Sequence, residues 1–395
     1  MADGILKGLR VLDFTWVLAG PYATRLMADF GAEVIKVQSA RTARGAEDNR
    51  TGYFAAWNRN KRSLTLDMGL PEARELALAL AAISDVVVEN FSPRVKTNWD
   101  FGYERLAEKN PRLVMASLSG MGQTGPWRDY VAFGPTVQAL SGLTALSSFD
   151  SENPLGLGYA YGDPVAGLYA ALAILAALEE RDRTGKGRYI DLSEYEAACS
   201  LVGPALLAAQ LNPGPVGPQG NRADEIPAAP YGCYRCRGED RWCVIAVFTE
   251  TQWQALRDRM GAPGWAAAER FATLARRKVH QDELDGHIGQ WTARFSPDEV
   301  VALLQEAGVP AGVVQNAADL AEDPHLAARR FFLPLCHPVL GETPADASPI
   351  RFRGDPPPEW RAAPLLGEAN RYVLGELLGL SDAECARLEQ TGVVR

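Results

Sequence analysis

Several signatures of common enzyme classes are missing from this chain of 395 residues. The first turn after a predicted strand, Thr15 to Pro21, contains no G-x-G-x-x-G pattern, and no G-x-x-x-x-G-K-[ST] loop follows elsewhere, so neither a nicotinamide cofactor nor a Walker-type nucleotide site is expected. Histidine is scarce, and none of the four lies near a nucleophile-elbow pattern, which argues against a Ser–His–Asp hydrolase. Each of the four is expected at a surface or loop position: His280, His287, His325 and His337.

Cysteines and long apolar runs are also few. Six cysteines in a chain of this length provide no disulfide framework, which favours a reducing cytosol. Cys233 and Cys236 form a lone C-x-x-C with Cys243 nearby, but without a second ligand pair at zinc spacing no metal site is expected. No apolar run approaches 20 residues, and the N-terminus lacks a signal-peptide pattern. We therefore expect a soluble cytoplasmic protein without a membrane span.

The charge balance is acidic, with a formal net charge of −9. Nucleic-acid binders normally carry a basic surplus, so no nucleic-acid partner is expected. An anionic ligand would need local basic groups acting against the overall field. The candidates are the segments 59–62 (Arg-Asn-Lys-Arg) and 41–44, which begins and ends with arginine.

Strand and helix patterns alternate through the first half of the chain. Residues 9–14 form a predicted strand, a helical stretch follows to Phe30, and Gly31 ends it before a second strand at 33–37. The pattern recurs as a helix over 71–83 and strands at 85–89 and 112–118. Alternation of this kind predicts an α/β fold with a parallel, nucleotide-binding type of sheet.

A long helix is predicted from Asp163 to Arg181, with Asp163 as the N-cap and Pro164 at the first helical position. Thr184-Gly185-Lys186-Gly187 ends it before a strand at 189–192. An aspartate at a helix N-terminus is held ionised by the helix dipole and could attack an activated acyl group. The same pattern also describes an ordinary helix cap, and at this point both interpretations stand.

The second half of the chain suggests a separate domain. A segment rich in Pro, Gly and Asn between 212 and 230 is typical of a linker or functional loop. A hairpin is predicted over 231–247, followed by a mostly helical region to Gly308, an irregular connection and an amphipathic tail. The predicted organisation is a large domain over 1–205, a linker over 206–230, a small domain over 231–315, a linker over 316–345, and a segment over 346–395 that returns to the large domain.

Seven segments spread over nearly the whole chain are considered together: VLDFTWVLAGPYATRLMADFGAEVIKVQ (11–38), NRNKRSLTLDM (58–68), DVVVENFSP (85–93), SLSGMGQTGP (117–126), GDPVAGLYAALAILAALEERDRTGKGRYIDLSEYEA (162–197), APYGCYRC (229–236) and APLLGE (363–368). In these sequences and in this order they resemble the class III coenzyme A transferases, the family that includes formyl-CoA transferase, crotonobetainyl-CoA:carnitine CoA-transferase and α-methylacyl-CoA racemase.

The resemblance implies a Rossmann-like large domain shared by the N- and C-terminal segments, a smaller inserted α+β domain, and a dimer of interlocked chains. Asp163 matches the family's catalytic aspartate, which relays acyl groups through an aspartyl anhydride and an aspartyl-CoA thioester. Coenzyme A thioesters would be substrates, and no tightly bound cofactor is implied. The implied coenzyme A contacts are Leu18, Ala19, Leu66, Asp67, Met68, Gly69, Asn90, Phe91, Ser92, Val131, Ala132, Phe133 and Gly134.

The sequence departs from the family pattern at three places. A glutamine beside the acyl group of formyl-CoA transferase is Leu18 here, and a basic residue that holds coenzyme A phosphates is Asn98, which leaves Arg94 or Lys96 as substitutes. The glycine-rich lid is replaced by residues 221–230. These differences argue against a formyl or oxalyl substrate. Trp16, Leu18 and Phe133 suggest a larger apolar acyl pocket, although core packing explains each of them equally well.

The resemblance leads to one main hypothesis and two alternatives. The main hypothesis is an acyl-CoA:carboxylate CoA-transferase with succinyl-CoA as donor, acting as a homodimer or with a paralogous subunit. An acyl-CoA racemase needs a second acid/base, and the family racemases use a histidine that aligns with Phe133, which cannot carry a proton. The other alternative is a coenzyme A-binding partner subunit without turnover, against which the retained Asp163 argues.

Overall fold

The computed structural model describes residues 4–394 apart from 213, 215, 223–224 and 354–358. The strands are β1 (Arg10–Asp13), β2 (Glu33–Gln38), β3 (Arg62–Thr65), β4 (Val86–Glu89), β5 (Val114–Ser119), β6 (Arg188–Ser193), β7 (Tyr231–Arg235), β8 (Trp242–Ala246), β9 (Ala311–Val313), β10 (Phe332–His337) and β11 (Gly341–Asp346). The α-helices are α1 (Ala19–Asp29), α2 (Gly52–Asn58), α3 (Pro71–Ala82), α4 (Pro93–Trp99), α5 (Tyr103–Lys109), α6 (Gly134–Leu140), α7 (Leu143–Ser147), α8 (Gly162–Thr184), α9 (Glu194–Cys199), α10 (Gly203–Leu211), α11 (Glu250–Arg259), α12 (Leu274–Val279), α13 (Gln281–Thr292), α14 (Pro297–Glu306), α15 (Ala317–Glu322), α16 (Pro324–Ala328) and α17 (Asp382–Gln390).

Six parallel strands form the central sheet, in the order β3-β2-β1-β4-β5-β6. Leu12 in β1 pairs with Ile35 in β2 on one side and with Val87 in β4 on the other. The inner strands are apolar on both faces because helices cover both, as parallel sheets require. The α/β class and the Rossmann-like sheet predicted from the sequence are confirmed.

Alternate residues along each strand point to opposite layers. Val11 lies in a core shared with α1 and α8, together with Met27 and Ile174. Its neighbour Leu12 lies in the opposite core, which is covered by α3, α5 and the C-terminal segment and includes Val373. Both layers are therefore built from the first half of the chain, and the last residues complete one of them.

Helix α8 packs closely against α1. A Cβ atom at Gly167 would lie 2.7 Å from the carbonyl oxygen of Ala19, so only glycine allows this approach. The helix ends at Gly185, whose φ of 75° is left-handed, as predicted from its Gly-Lys-Gly sequence. By length and composition α8 is apolar enough to cross a membrane, but half of that apolar window is buried in the protein. A core helix meets the same criteria.

The returning C-terminal segment is anchored by buried arginines. The guanidinium of Arg59 lies 2.7 Å from the carboxylate of Asp29 and 2.8 Å from that of Asp346 in β11. Arg25 lies 3.0 Å from Asp346, and Trp360 stacks on Arg59 at 4.2 Å. These contacts join α1 and the residue that follows α2 to the segment that begins at Arg329.

Contacts divide the chain into two units. The first comprises residues 1–145, 156–216 and 329–395, and the second comprises 146–155 and 217–328. In the second unit the antiparallel strands β7, β8 and β9 pack on α11, α13 and α14 around a core that includes Ile245 and Trp253. The hairpin predicted over 231–247 is confirmed by the pairing of Tyr231 with Ala246.

The domain boundaries predicted from the sequence stay a prediction, but two of the predicted linkers contain regular structure. Helix α10 covers the first part of 206–230. The segment 316–345 contains β10 and nearly all of β11, which form a hairpin in which Phe332 pairs with Asp346. The sequence does not predict this hairpin, because both strands contain proline and are mostly exposed on one side, which is a weak strand pattern.

Candidate active site

The carboxyl ends of the parallel strands collect most of the predicted site residues. The strand order places β1 beside β4, although β2 and β3 lie between them in the sequence. The chain changes direction across the sheet at this switch point, which opens a crevice where α/β proteins bind ligands. The loops that follow β1, β3, β4 and β5 carry the predicted coenzyme A contacts. The structure brings these four loops to one edge of the sheet, and the binding roles of their residues stay predictions.

The loops after β1 and β4 are tied together by Asn90. Its Oδ1 accepts a hydrogen bond from the backbone N–H of Trp16 at 2.8 Å, and its Nδ2 donates to the carbonyl of Trp16 at 2.9 Å. Val17 has a left-handed φ of 63°, and its N–H donates to Glu47 at 2.9 Å. A β-branched residue in this conformation is strained, so the surrounding contacts hold the loop in place.

A buried charge cluster supports this loop from below. The ammonium of Lys61 lies 3.0 Å from the carboxylate of Asp13, and that of Lys36 lies 3.2 Å from Glu47. Burial lowers the pKa of Lys61 to about 8, while the charge of Asp13 opposes this effect. The prediction that 59–62 supplies basic groups to an anionic ligand is wrong for Arg59 and Lys61, because both are buried in internal ion pairs.

The loop after β3 contains the predicted contacts Leu66 to Gly69. The N–H of Asp67 donates to the carbonyl of Val393 at 2.9 Å, and its carboxylate lies 3.0 Å from the exposed guanidinium of Arg41. A small groove is lined here by Ser39, Ala40, Arg41, Thr65, Leu66, Asp67, Gly392 and Val393. Arg41, one of the basic candidates at 41–44, is therefore an exposed cation beside the predicted coenzyme A contacts.

The two cations offered as substitutes for Asn98 differ in accessibility. Lys96 in α4 is mostly buried; its ammonium lies 3.1 Å from Glu89 and donates to Ser117 and to Tyr189 at 2.8 and 3.0 Å. Arg94 is largely exposed and forms a surface ion pair with Asp129, at 3.3 Å. Of the two, only Arg94 has a side chain that can reach a phosphate without dismantling buried contacts.

The loop after β5 ends at the predicted contacts Val131 to Gly134. Val131 is fully at the surface and Phe133 is half exposed. A Cβ at Gly120 would lie 2.6 Å from the side chain of Ala132, so the start of the loop presses against its end. Phe133 precedes α6 as its N-cap, and Gly134 is the first residue of that helix.

Asp163 lies in the first turn of α8 and is not its cap. The helix begins at Gly162 with Tyr161 at the N-cap, so the predicted capping role of Asp163 is wrong. The side chain is 8% exposed, and its Oδ2 has no hydrogen-bond partner among the described residues. A Cβ at Gly134 would lie 2.3 Å from that oxygen, so the carboxylate sits directly against the glycine at the start of α6.

Burial controls the ionisation of this aspartate. Desolvation raises the pKa of Asp163 from 3.8 to about 6, although its own backbone N–H acts in the opposite direction. The charge of Asp163 also acts on two tyrosines. Burial first and Asp163 second raise the pKa of Tyr53. The pKa of Tyr159 is raised mainly by burial, with Tyr22 and then Asp163 adding smaller effects in the same direction. At neutral pH the carboxylate is thus ionised but poorly solvated, which is the state of a reactive oxygen nucleophile.

Sequence reasoning missed Glu194, the first residue of α9. It is 7% exposed, and burial, followed by the charge of Asp163, raises the pKa of its carboxyl to about 8. Its position directly after β6, at the carboxyl end of a parallel strand, was the available signal. The burial could not be recognised in the sequence.

The remaining candidates lie elsewhere. His280 and His325 are exposed, and His287 stacks on Trp265 at 4.2 Å. His337 is buried in β10, and its Nδ1 accepts hydrogen bonds from the N–H groups of Val339 and Leu340 at 3.2 Å, so its predicted surface or loop position is wrong. The cysteines are unpaired thiols, and within the described residues no group of three or more His, Cys, Asp or Glu side chains could hold a metal ion.

Comparison with known proteins agrees with this arrangement. Residues 6–370 match CoA-transferase family III. The chain is 35% identical to succinyl-CoA–D-citramalate CoA-transferase of Chloroflexus aurantiacus, over 98% of both chains. It is 36% identical to succinyl-CoA:mesaconate CoA-transferase of Haloarcula hispanica, over 94% of this chain and 96% of the relative. It is 33% identical to formyl-CoA:oxalate CoA-transferase of Rhodopseudomonas palustris, over 98% and 96% respectively.

A solved structure supports the same grouping. A CaiB/BaiF family protein from Brucella suis superposes with a TM-score of 0.85 at 32% identity, covering 95% of this chain and 100% of that one. The family resemblance inferred from seven sequence segments is confirmed, as is the expectation of an enzyme of acyl-CoA metabolism. The chain belongs to CoA-transferase family III.

Proposed function

We propose that this enzyme transfers coenzyme A from succinyl-CoA to a free carboxylic acid, with Asp163 as the covalent nucleophile. Membership of CoA-transferase family III supports the class of reaction. The donor is supported by two relatives whose names include succinyl-CoA. Leu18, in the place of the glutamine of formyl-CoA transferase, argues against the smaller formyl donor.

The observation that carries the proposal is the unpartnered Oδ2 of Asp163. A buried carboxylate oxygen normally has a hydrogen-bond partner, because leaving it without one costs roughly 1–3 kcal/mol. Here the oxygen lies against Gly134, where any side chain would displace it. An oxygen kept free at this cost, at the carboxyl edge of the sheet, is available to form a bond to a substrate carbonyl.

The proposed reaction balances through four acyl exchanges. An oxygen of Asp163 attacks the donor thioester carbonyl, the C–S bond breaks, and a mixed anhydride and coenzyme A thiolate form. The thiolate attacks the aspartyl carbonyl and releases the donor acid as a carboxylate. The acceptor carboxylate then attacks the aspartyl-CoA thioester, and the thiolate that is released attacks the acyl carbonyl of the new anhydride. Acyl-CoA leaves and the Asp163 carboxylate is regenerated.

Coenzyme A is proposed to lie along the carboxyl edge of the sheet. The loops that contain Ala19, Leu66 to Gly69, Phe91 and Val131 to Gly134 provide its contacts. Arg41 and Arg94 are exposed cations beside two of these loops and would meet its phosphates. Asn90 and Lys96 would contribute indirectly, since Asn90 fixes the loop after β1 and Lys96 is held by Glu89.

Two alternatives are less well supported. A racemase would need a proton carrier opposite Asp163, and the residue that precedes Gly134 is Phe133, which has no titratable group. A binding subunit without turnover would have no use for a desolvated carboxylate of raised pKa, which only costs stability. Neither alternative explains why Asp163 is buried with an Oδ2 that has no hydrogen-bond partner in the part of the chain that the structure describes.

The enzyme is further proposed to be a homodimer, or one subunit of a pair with a paralogue. An apolar surface on α8 and α10 supports this, because monomeric proteins rarely leave such a surface in contact with water. The exposed residues are Leu168, Leu172, Leu175, Leu206, Leu207 and Leu211. A monomer in sedimentation experiments at micromolar concentration would contradict the assembly.

The cell compartment and ligands follow from the same proposal. A cytoplasmic enzyme is consistent with six unpaired cysteines and with acyl-CoA substrates. Coenzyme A thioesters act as substrates, without a tightly bound cofactor. Neither nucleic acid nor a membrane is proposed as a partner, given the acidic net charge.

Trapping with hydroxylamine tests the nucleophile. Hydroxylamine attacks anhydrides and thioesters but not resting carboxylates, so wild-type enzyme should be inactivated only when succinyl-CoA is present, with a hydroxamate at Asp163. Asp163→Asn should lose turnover, because an amide cannot form the anhydride. Asp182→Asn, at the exposed end of the same helix, is the matched control and should be labelled normally. Normal turnover by Asp163→Asn would refute the mechanism.

The acceptor and donor are tested separately. A panel of carboxylic acids is incubated with succinyl-CoA or acetyl-CoA, and the coenzyme A esters are identified by mass spectrometry. Transfer from succinyl-CoA to at least one acid is expected. Efficient transfer from acetyl-CoA together with none from succinyl-CoA would contradict the proposed donor while leaving the role of Asp163 intact.

A further inference from the structure

Glu194 is buried at a point where the loop after β5 meets α9. It follows Ser193, whose Oγ accepts a hydrogen bond from Glu196 N–H at 3.2 Å and so caps the helix. The next residue, Tyr195, donates its N–H to the carbonyl of Gly120 at 2.9 Å. These contacts fix the first turn of α9, and the carboxyl of Glu194 with it, against the end of β5.

The face of α9 that carries Glu194 packs toward Asp163. Ala198 lies one turn later on the same face and is fully buried, because residues four apart lie above one another on a helix. A Cβ at Gly162 would lie 3.8 Å from the side chain of Ala198. Gly162 directly precedes Asp163, so the face of α9 that carries Ala198 and, one turn earlier, Glu194 lies against the first turn of α8.

The surroundings of Glu194 provide no cation. Within the ranges that the structure describes, its carboxyl has no hydrogen bond and no ion pair to another side chain. Helix α6 carries no ionisable residue, and the start of α8 contributes only Asp163.

The charged groups of β6 and of α9 itself are directed elsewhere. Arg188 pairs with Glu180, Tyr189 accepts from Lys96, and Asp191 accepts from the N–H of Gln123. Glu196 is exposed. A buried carboxyl without a positive partner is stable only when it is protonated.

We propose that Glu194 is a positioning residue, held as a neutral carboxylic acid beside Asp163, so that the pair carries one negative charge and this charge lies on the nucleophile. The inference rests on the proposed function of Asp163. The direction of both pKa shifts agrees with it, since burial and the charge of Asp163 together keep Glu194 protonated at neutral pH.

A neutral neighbour suits the chemistry at this site. Every exchange brings further negative charge to Asp163: the oxyanion of the tetrahedral intermediate, the coenzyme A thiolate and the incoming carboxylate. A second charge on Glu194 would repel all three in a poorly solvated region, where such interactions are strong. A protonated Glu194 keeps the shape of the pocket without this repulsion.

The pH profile of a variant separates positioning from a merely structural role. As Glu194 ionises with a pKa near 8, kcat/KM of the wild type should fall by about tenfold between pH 7 and pH 9. Glu194→Gln cannot ionise, so its ratio of kcat/KM at the two pH values should lie close to one. Glu196→Gln, on the exposed side of the same helix, should keep the fall of the wild type. An equal fall in Glu194→Gln would overturn the proposal.

Infrared spectroscopy gives a test that needs neither turnover nor a variant at Glu194. The carbonyl stretch of a buried protonated carboxylic acid should be present in the wild type at pH 7 and lost at higher pH. In Asp163→Asn the neighbouring charge is removed, so the signal should disappear at a lower pH than in the wild type. Absence of a protonated acid at pH 7, or an unchanged titration in Asp163→Asn, would overturn the pairing. Hydroxylamine labelling of Asp163 tests the nucleophile separately, so the two failures can be distinguished.

Discussion

Replacing Asp163 with asparagine should stabilise the folded enzyme at neutral pH while abolishing turnover. The carboxyl has a pKa of about 6 in the folded chain and 3.8 as its ordinary value. Because the folded pKa is the higher one, the neutral acid favours folding fully below pH 3.8, and this contribution is lost as the pH rises to about 6. At pH 7 the ionised carboxylate therefore destabilises the folded wild type by roughly 3 kcal/mol. The asparagine amide of the variant would also be buried without a partner, which costs part of this energy. The net increase in the free energy of unfolding is therefore on the order of 1–2 kcal/mol.

Thermal unfolding at several pH values measures this effect. For a chain of this size, 1 kcal/mol corresponds to about 2–4 °C in Tm. Asp163→Asn should therefore melt a few degrees above the wild type at pH 7, and the difference should shrink toward pH 4, where the wild-type carboxyl is neutral. Asp182→Asn, an exposed residue of the same helix, should show no comparable pH-dependent gain. A lower Tm for Asp163→Asn at pH 7, or a difference independent of pH, would refute the argument from burial.

Three further outcomes are expected. Gly134→Ala places a Cβ 2.3 Å from Oδ2 of Asp163 and should lower kcat by about 100-fold, because misplacement of a reacting group by 1 Å can have this effect. Gly203 also begins a helix before a proline, but the space around its Cα is open, so Gly203→Ala should leave kcat unchanged. In wild-type enzyme kcat/KM should fall tenfold per pH unit below about 6, because only ionised Asp163 attacks; a flat acid limb would contradict this. Lys61→Met removes the ammonium that pairs with the buried carboxylate of Asp13 and should lower the free energy of unfolding by about 3–5 kcal/mol. An unchanged Tm for this variant would contradict the prediction.

The sheet could be predicted because its strands carry the pattern that a parallel sheet requires. Val86 to Val88 is a continuous apolar run, and such runs occur where both faces are covered. The helix stop at Gly185 was equally local, since a left-handed residue after a helix favours glycine. Features that depend on residues close together in the sequence could therefore be predicted.

Features that depend on residues distant in the sequence could not be predicted. The basic tetrapeptide 59–62 predicts a ligand-binding cation at Arg59, but its guanidinium pairs with Asp346, which lies 287 residues later in the chain. The sequence predicts a surface or loop position for His337, whereas the residue is buried at the end of β10. Burial of a charged or polar residue is decided by what packs over it, which no local pattern records.

The proposed role of Asp163 as a nucleophile accounts for its position inside the first turn of α8 rather than at the N-cap. As an N-cap, its oxygens would accept hydrogen bonds from the first-turn N–H groups, which would lower the pKa and stabilise the helix by about 1 kcal/mol. Such a carboxylate would have to give up those bonds to attack a thioester. In the first turn its Oδ2 lies against Gly134 without a hydrogen-bond partner among the described residues. The same displacement that removes a stabilising contact thus leaves the oxygen free to react, and it predicts that activity and stability at this position change in opposite directions.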